Sequence, residues 1–291
     1  MALTETNIVA QTRTWLGGQI RSRVVGEDVG AKSAAIFDAP GPRLIPMDSP
    51  MREVHADASM FIGGLRALLL QSLHPLAMAG VAQHSDYRDA PWHRLQRTAE
   101  FIAATTYGPV EVAERSIAGV RRIHERVVGV TADGQAYAAG DPHLLGWVHV
   151  AEVDSFLTAH RRFGTQPLAP AAADAYVRDM AIVAVRLGVI DPPTDVAGLH
   201  AELRRYRPEL RATPEARRAA RFLLLEPPLP LAVRPAYLTL AAAAVSLLPA
   251  WARWPLRLPY LPISERLVAR PVGSAATQLI RWSTARPAPT G

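Results

Sequence analysis

Apolar positions recur along most of this chain with the period of a helix. In "VEVAERSIAGVRRIHERVV" the residues Ala113, Ile117, Val120, His124 and Val127 are spaced 4, 3, 4 and 3. Arg121, Arg122, Glu125 and Arg126 fall on the other side. The pattern predicts an amphipathic helix from Val110 to about Val128, with a histidine inside its apolar stripe. The next helix repeats the arrangement. Asp141-Pro142 supplies a cap and a first-turn proline, and Gly164 supplies the stop after Phe163. Leu145, His149, Glu152 and Phe156 share one stripe of it.

Other segments follow the same period. Residues 5 to 20 read as a short amphipathic start, and 38 to 51 as a Pro-rich irregular stretch. "ASMFIGGLRALLLQSLHPLAMAGVA", Ala58 to Ala82, is apolar almost throughout and must kink or break before Pro75. Asp89 and Pro91 open a helix to about Tyr107, which Gly108-Pro109 ends. A further helix covers Ala171 to Leu187, and short helices alternate with prolines from 192 to 235. The period changes only around "VVGVTADGQAYAA", where Asp133-Gly134 between two short runs signals a β-hairpin. No repeat and no clear linker divides the chain. The expectation is an all-α single domain spanning 1–291, with one short hairpin.

One stretch does not fit a simple core pattern. From Ala67 through Gln83 there is no Asp, Glu, Lys or Arg. Then "HSDYRDAPWHRLQRTAEF", residues 84 to 101, brings histidines, arginines and carboxylates together before the chain turns apolar again at Ile102. In the helix that follows, Arg94, Arg97, Thr98 and Phe101 fall at i, i+3, i+4 and i+7 and share a face. Taken alone, that face is solvated surface. Between apolar segments, its guanidinium groups need anionic partners, from the protein or from a bound group.

Composition narrows the chemistry. The 291 residues are 49% hydrophobic, enough for a substantial core. Cysteine is absent, which excludes disulfides, iron–sulfur clusters held by cysteine, zinc–thiolate sites and thiolate-ligated or covalently attached haem. The formal charge is +6, and Lys32 is the only lysine. This arginine-for-lysine bias, with abundant Ala and Pro, carries the stamp of a GC-rich bacterial coding sequence. No basic tract interleaved with aromatics is present, so no nucleic-acid partner is expected. The start, "MALTETNIVAQTRTW", lacks a basic region followed by an apolar one, so no signal peptide is read and a cytoplasmic location is expected. "PAYLTLAAAAVSLLPAWA", Pro235 to Ala252, is apolar but broken by Pro249; it reads as a buried helix, with peripheral membrane contact left open.

His84, His124, His149 and Glu152 together have the residue types of a metal site, in no strict motif spacing. A histidine in an apolar stripe is more often a satisfied core residue. The alternative is a ligand facing an apolar pocket, as haem iron is commonly held. Glu152 could orient His149, or the two could be half of a non-haem metal site. His74 reads as a cap on the broken helix. His55, His93, His143, His160 and His200 read as surface residues.

The ordered set L-H-P, H-S, P-x-x-R-x-x-[RK]-T, H-x-x-V-x-G, D-P and W-V-H, carried by "LLLQSLHPLAMAGVAQHSDYRDAPWHRLQRTAEFIAATTYG" and "VRRIHERVVGVTADGQAYAAGDPHLLGWVHVAEVDSF", resembles the family of MpaB-type oxygenases and bacterial latex clearing proteins. The resemblance spans roughly residues 45 to 260. It implies an all-helical, globin-like core that binds haem b noncovalently and uses dioxygen on an apolar small molecule, with unsaturated and terpenoid compounds as the class. It implies His124 as the iron ligand and Arg94 and Thr98 as residues that keep the haem site intact; His149, from its place in its own apolar stripe, is expected as a further cofactor contact. The rubber-cleaving enzymes have a distal lysine where this chain has Arg97. An arginine cannot approach iron as a neutral amine, which argues against rubber cleavage. Those enzymes also use a distal glutamate with no obvious counterpart upstream of Arg94; Gln83 and His84 lie in that region. Arg97 and His84 are therefore the expected catalytic groups. The competing expectations are a non-catalytic haem or lipophilic-ligand binding protein, a cofactor-free scaffold at a membrane surface, and a non-haem iron site.

Overall fold

The structure is a computed structural model that describes residues 29–85, 91–231 and 233–284. The expected start at 5 to 20 and the Asp89 cap lie outside these residues. The described chain is mainly helical, with a single two-stranded hairpin, as the periodicity predicts. The helices are α1 (Val29–Phe37), α2 (Pro50–Ala56), α3 (Met60–Gln71), α4 (Pro75–His84), α5 (Pro91–Tyr107), α6 (Val110–His124), α7 (Pro142–Phe163), α8 (Pro170–Leu187), α9 (Val196–Tyr206), α10 (Pro214–Leu225), α11 (Arg234–Leu247), α12 (Ala250–Leu256) and α13 (Arg270–Thr284). The strands are β1 (Val128–Val130) and β2 (Ala136–Ala138).

α7 is the axis around which the others pack. Asp141 caps its start by accepting hydrogen bonds from the backbone N–H groups of His143 and Leu144. Trp147, Val150, Val153, Phe156 and Leu157 are buried along it. α3 crosses it closely, and the sequence makes room: a Cβ on Gly63 would lie 2.9 Å from the Phe156 ring and 3.2 Å from the Phe156 Cα. No side chain fits there without moving one helix.

The apolar segment from Ala58 breaks where proline demands it. α3 and α4 meet at 105°, with Pro75 in the first turn of α4. The pair passes for a bent apolar span by length and composition, but no single helix among the described residues is long and apolar enough to cross a membrane. The run Pro235 to Ala252 is also two pieces. α11 ends at Leu247 and α12 begins after Pro249, which the ring of an interior proline would otherwise disrupt. α6 stops at His124, short of the expected Val128, because Val127 and Val128 pass into the hairpin: Ala139 N–H bonds to the Val127 carbonyl, and Val128 pairs with Ala138. Gly134 takes a positive φ of 84° in the turn.

Arginines tie the termini of helices to their neighbours. Arg43 donates to the carbonyls of Ile36, Ala39 and Tyr107, and Arg52 donates to Thr106, so the end of α5 is held against α1 and α2. Arg281 of α13 pairs with Asp57 at 2.8 Å and also donates to the Phe163 carbonyl.

Candidate active site

α2, α5, α6, α7 and α8 enclose a cavity of about 80 Å³. Its apolar wall comes from Met51, Phe101, Ile102, Leu145, Val148, Met180, Val183 and Leu187. Four ionisable groups interrupt that wall: His55 from α2, His124 from α6, and His149 and Glu152 from α7. The helical periods explain the meeting. His124 and His149 each occupy an apolar-stripe position, so packing the stripes together points both imidazoles inward.

The polar atoms here are unusually short of partners. His55 Nδ1 hydrogen-bonds to the Thr106 hydroxyl at 2.8 Å, but its Nε2 is buried with no partner. His124 Nδ1, His149 Nε2 and the Tyr176 hydroxyl are likewise buried and unsatisfied. The His55 ring meets Tyr176 edge-on at 6.0 Å. Each orphaned group costs about 1–3 kcal/mol unless something binds it.

Burial sets the protonation states. It lowers the pKa of His55 to about 3 and of His149 to about 4, and lowers that of His124 too. All three imidazoles are therefore neutral near pH 7, with a lone pair available to a metal. Burial pushes Glu152 the other way, up to about 7, so this carboxyl exchanges a proton near neutral pH. Tyr176 is raised well above its ordinary value, by burial first and by the Glu152 carboxylate second.

The donors ring the cavity and do not converge. Among the described residues, the only three His, Asp or Glu side chains whose ligand atoms all lie within 4.8 Å of one another are His74, His143 and Glu209, none of which lines this cavity. A single ion could not take three of the cavity groups as ligands without rearrangement.

The structure brings together His124 and His149 of the expected site residues, with Glu152 beside them. Arg94, Thr98, Arg97 and His84 do not line the cavity. Arg94 donates to the Ser85 hydroxyl at 2.6 Å, and the Thr98 hydroxyl donates to the Arg94 carbonyl. Arg97 is exposed. His84 is exposed at the end of α4, with Nε2 3.1 Å from the Tyr137 hydroxyl. Arg94, Thr98, Phe101 and Thr105 nonetheless form one stripe of α5, spaced 4, 3 and 4. Phe101 and Thr105 reach the cavity, and Arg94 and Thr98 continue their line towards the start of the helix.

Two of the histidines expected at the surface turn inward. His55 lines the cavity and His160 is 1% exposed. Spacing held the signal for His160: Phe156 and His160 are separated by one helical turn and share a buried face.

No curated protein and no solved structure matches the chain. A comparison with protein families matches residues 52–282, from the first turn of α2 to the last turn of α13, a segment that holds every residue lining the cavity except Met51. The chain belongs to the family described as ER-bound oxygenase mpaB/B′ and rubber oxygenase, catalytic domain.

Proposed function

We propose that this chain is a haem b-dependent oxygenase that acts with dioxygen on an apolar small molecule. The observation that carries the reading is the cavity: three neutral histidines, each with a buried ring nitrogen lacking a partner, set in an apolar wall. His124 is the proposed iron ligand. Bound haem would supply dioxygen binding and activation. A volume of about 80 Å³ holds a few water-sized molecules, so haem entry requires the cavity wall to open. The stripe leading from Phe101 to Arg94 and Thr98 offers a guanidinium and a hydroxyl for the polar edge of such a group.

The remaining groups have roles that follow from their chemistry. The apolar wall excludes water and admits a hydrophobic substrate. Glu152 gives or takes a proton near pH 7. His149 and His55 remain neutral donors or acceptors. Arg97 and His84, outside the cavity, keep a role only at its approach.

The test is an absorption spectrum of protein purified from haem-supplemented cells, beside His124→Ala. A haem band in the wild type that is lost or shifted in the variant supports the reading. A colourless, iron-free wild type overturns it, and iron without porphyrin would transfer the cavity donors to a non-haem site.

A surface feature supports membrane contact as the route to an apolar substrate. Ile263, Leu267 and Trp254 are 75%, 69% and 75% exposed, and Arg266 and Arg270 line a groove with Ile263 and Leu267. Exposed apolar side chains flanked by arginines suit an anionic lipid surface. Co-sedimentation with vesicles containing phosphatidylserine, lost in Ile263→Ser with Leu267→Ser, checks this. Equal binding by the variant counts against it.

A further inference from the structure

His74, His143 and Glu209 meet away from the cavity, where the α3–α4 corner, the first turn of α7 and the turn after α9 come together. His74 is 3% exposed, and neither of its ring nitrogens has a hydrogen-bond partner. Its Nε2 faces the Glu209 carboxylate at 3.4 Å. His143 Nε2 lies 2.7 Å from the same Glu209 oxygen. The two imidazole rings cross at 73° with centroids 6.2 Å apart, so they approach a common point from different directions. A buried imidazole without a well-formed hydrogen bond is costly, and the 3.4 Å contact of its Nε2 with Glu209 relieves that cost only in part. Glu209 cannot do so well, because its nearer oxygen is already engaged by His143.

We propose that these three residues form a divalent cation site, with Zn²⁺ as its ion. Two neutral imidazoles and one carboxylate are a zinc donor set, and zinc bonds of about 2.0–2.2 Å in a tetrahedron place ligand atoms roughly 3.3 Å apart. The His74–Glu209 separation of 3.4 Å already matches. The His143–Glu209 contact of 2.7 Å is a hydrogen bond that opens by about half an ångström when an ion replaces the shared proton. His143 and Glu209 side chains are 44% and 42% exposed, so the fourth position faces solvent.

The surroundings hold these ligands in place. The Tyr206 ring packs against His143 at 4.7 Å, and its hydroxyl donates to the His143 carbonyl at 2.9 Å. A Cβ on Gly146 would sit 2.6 Å from that hydroxyl, so only glycine admits Tyr206 here. Trp147 Nε1 donates to the Gln71 carbonyl at 3.2 Å and fixes α7 against the end of α3. Arg211, whose charge opposes a cation at His74, is drawn aside towards Asp133 at 3.3 Å. The ion would clamp three segments that are distant in sequence.

The experiment is a calorimetric titration of the full chain, stripped with a chelator and dialysed, with ZnCl₂ alone. The wild type and His124→Ala are expected to bind one Zn²⁺ with micromolar or tighter affinity. Glu209→Gln and His143→Ala, both at half-exposed positions, are expected to lose at least tenfold. The melting temperature should rise with Zn²⁺ in the first pair and not in the second. Absence of binding by the wild type overturns the proposal, as does binding that survives both Glu209→Gln and His143→Ala. Binding lost in His124→Ala would place the ion in the cavity and overturn it equally.

Discussion

Two polar clusters on α7 lie within one turn of each other and differ in completeness. Asp154, with a side chain 9% exposed, pairs with the buried Arg66 at 2.7 Å. Arg66 also donates to the Ser155 hydroxyl at 2.7 Å and to the Leu247 carbonyl at 3.0 Å, and Ser155 donates to the Ala151 carbonyl. This cluster is closed by the protein's own atoms, and it fastens α3, α7 and the end of α11 together. On the cavity side of the same helix, Glu152 and His149 have no such closure, and His149 Nε2 is orphaned. Both clusters sit in an apolar interior and face the same desolvation cost. A finished network offsets that cost within the fold, whereas an unfinished one keeps its donors available to something that arrives later. The contrast separates architecture from site more sharply than burial alone.

The largest effect should come from breaking the finished cluster. Asp154→Ala leaves the Arg66 guanidinium buried and unpaired, and should cost about 3–5 kcal/mol in chemical denaturation. Arg66→Ala should cost a similar amount by stranding the carboxylate. A loss below 1 kcal/mol in both would mean that water replaces the missing partner, and the cluster would not be closed.

The next effect tests the unfinished cluster through pH, in cofactor-free protein. Glu152 keeps its proton up to about 7 in the fold, against 4.5 in the ordinary state. The folded protein therefore holds the extra proton between those values, and stability falls as pH rises through that window, by about 3 kcal/mol in all. The histidines act in the opposite sense. His55 and His149 stay neutral down to about 3 and 4, while the unfolded chain takes up protons below 6.5. Stability is lost as pH drops below 6.5, and the optimum lies near that value. Glu152→Gln should remove only the alkaline loss. Its stability relative to the wild type should rise by about 3 kcal/mol from pH 4.5 to pH 8. A pH-independent difference would place Glu152 in water.

The architecture was largely readable before the structure because it rests on local rules. Asp141-Pro142, Gly108-Pro109 and Pro75 act on their own neighbourhoods, and they start, stop and bend helices where expected. The inward placement of His124 and His149 was also local, since each sits in its own helix's apolar stripe. The rest depended on contacts between distant segments. Nothing in "PMREVHADASM" says that His55 will reach a cavity built by α6, α7 and α8. Nothing near Glu209 announces His74 and His143. Likewise, the arginine face of α5 does not reveal which of its turns meets the cavity; that depends on where α5 crosses α6.

A smaller effect follows from removing an orphan. His149→Leu replaces a buried, unsatisfied imidazole by an apolar side chain, and in cofactor-free protein it should be neutral or stabilise by about 1–2 kcal/mol. The same exchange at Asp154 should destabilise, because there the lost group has partners. Urea midpoints for the pair of variants give the comparison directly. If His149→Leu costs as much as Asp154→Leu, His149 already has a partner and the cavity is as finished as the Arg66 cluster.

The smallest effect is expected at Arg97. It is exposed on α5, outside the cavity, and exchange for alanine should change stability by no more than about 0.5 kcal/mol. A haem band, if the protein carries one, should persist in Arg97→Ala and be lost or shifted in His124→Ala. The two variants differ in a single respect that matters here: His124 has a buried nitrogen without a partner, and Arg97 has water. An Arg97→Ala protein that loses the band while remaining folded would move the cofactor's edge up the α5 helix. The unfinished cluster would then extend beyond the cavity wall to the charged turn that begins this helix.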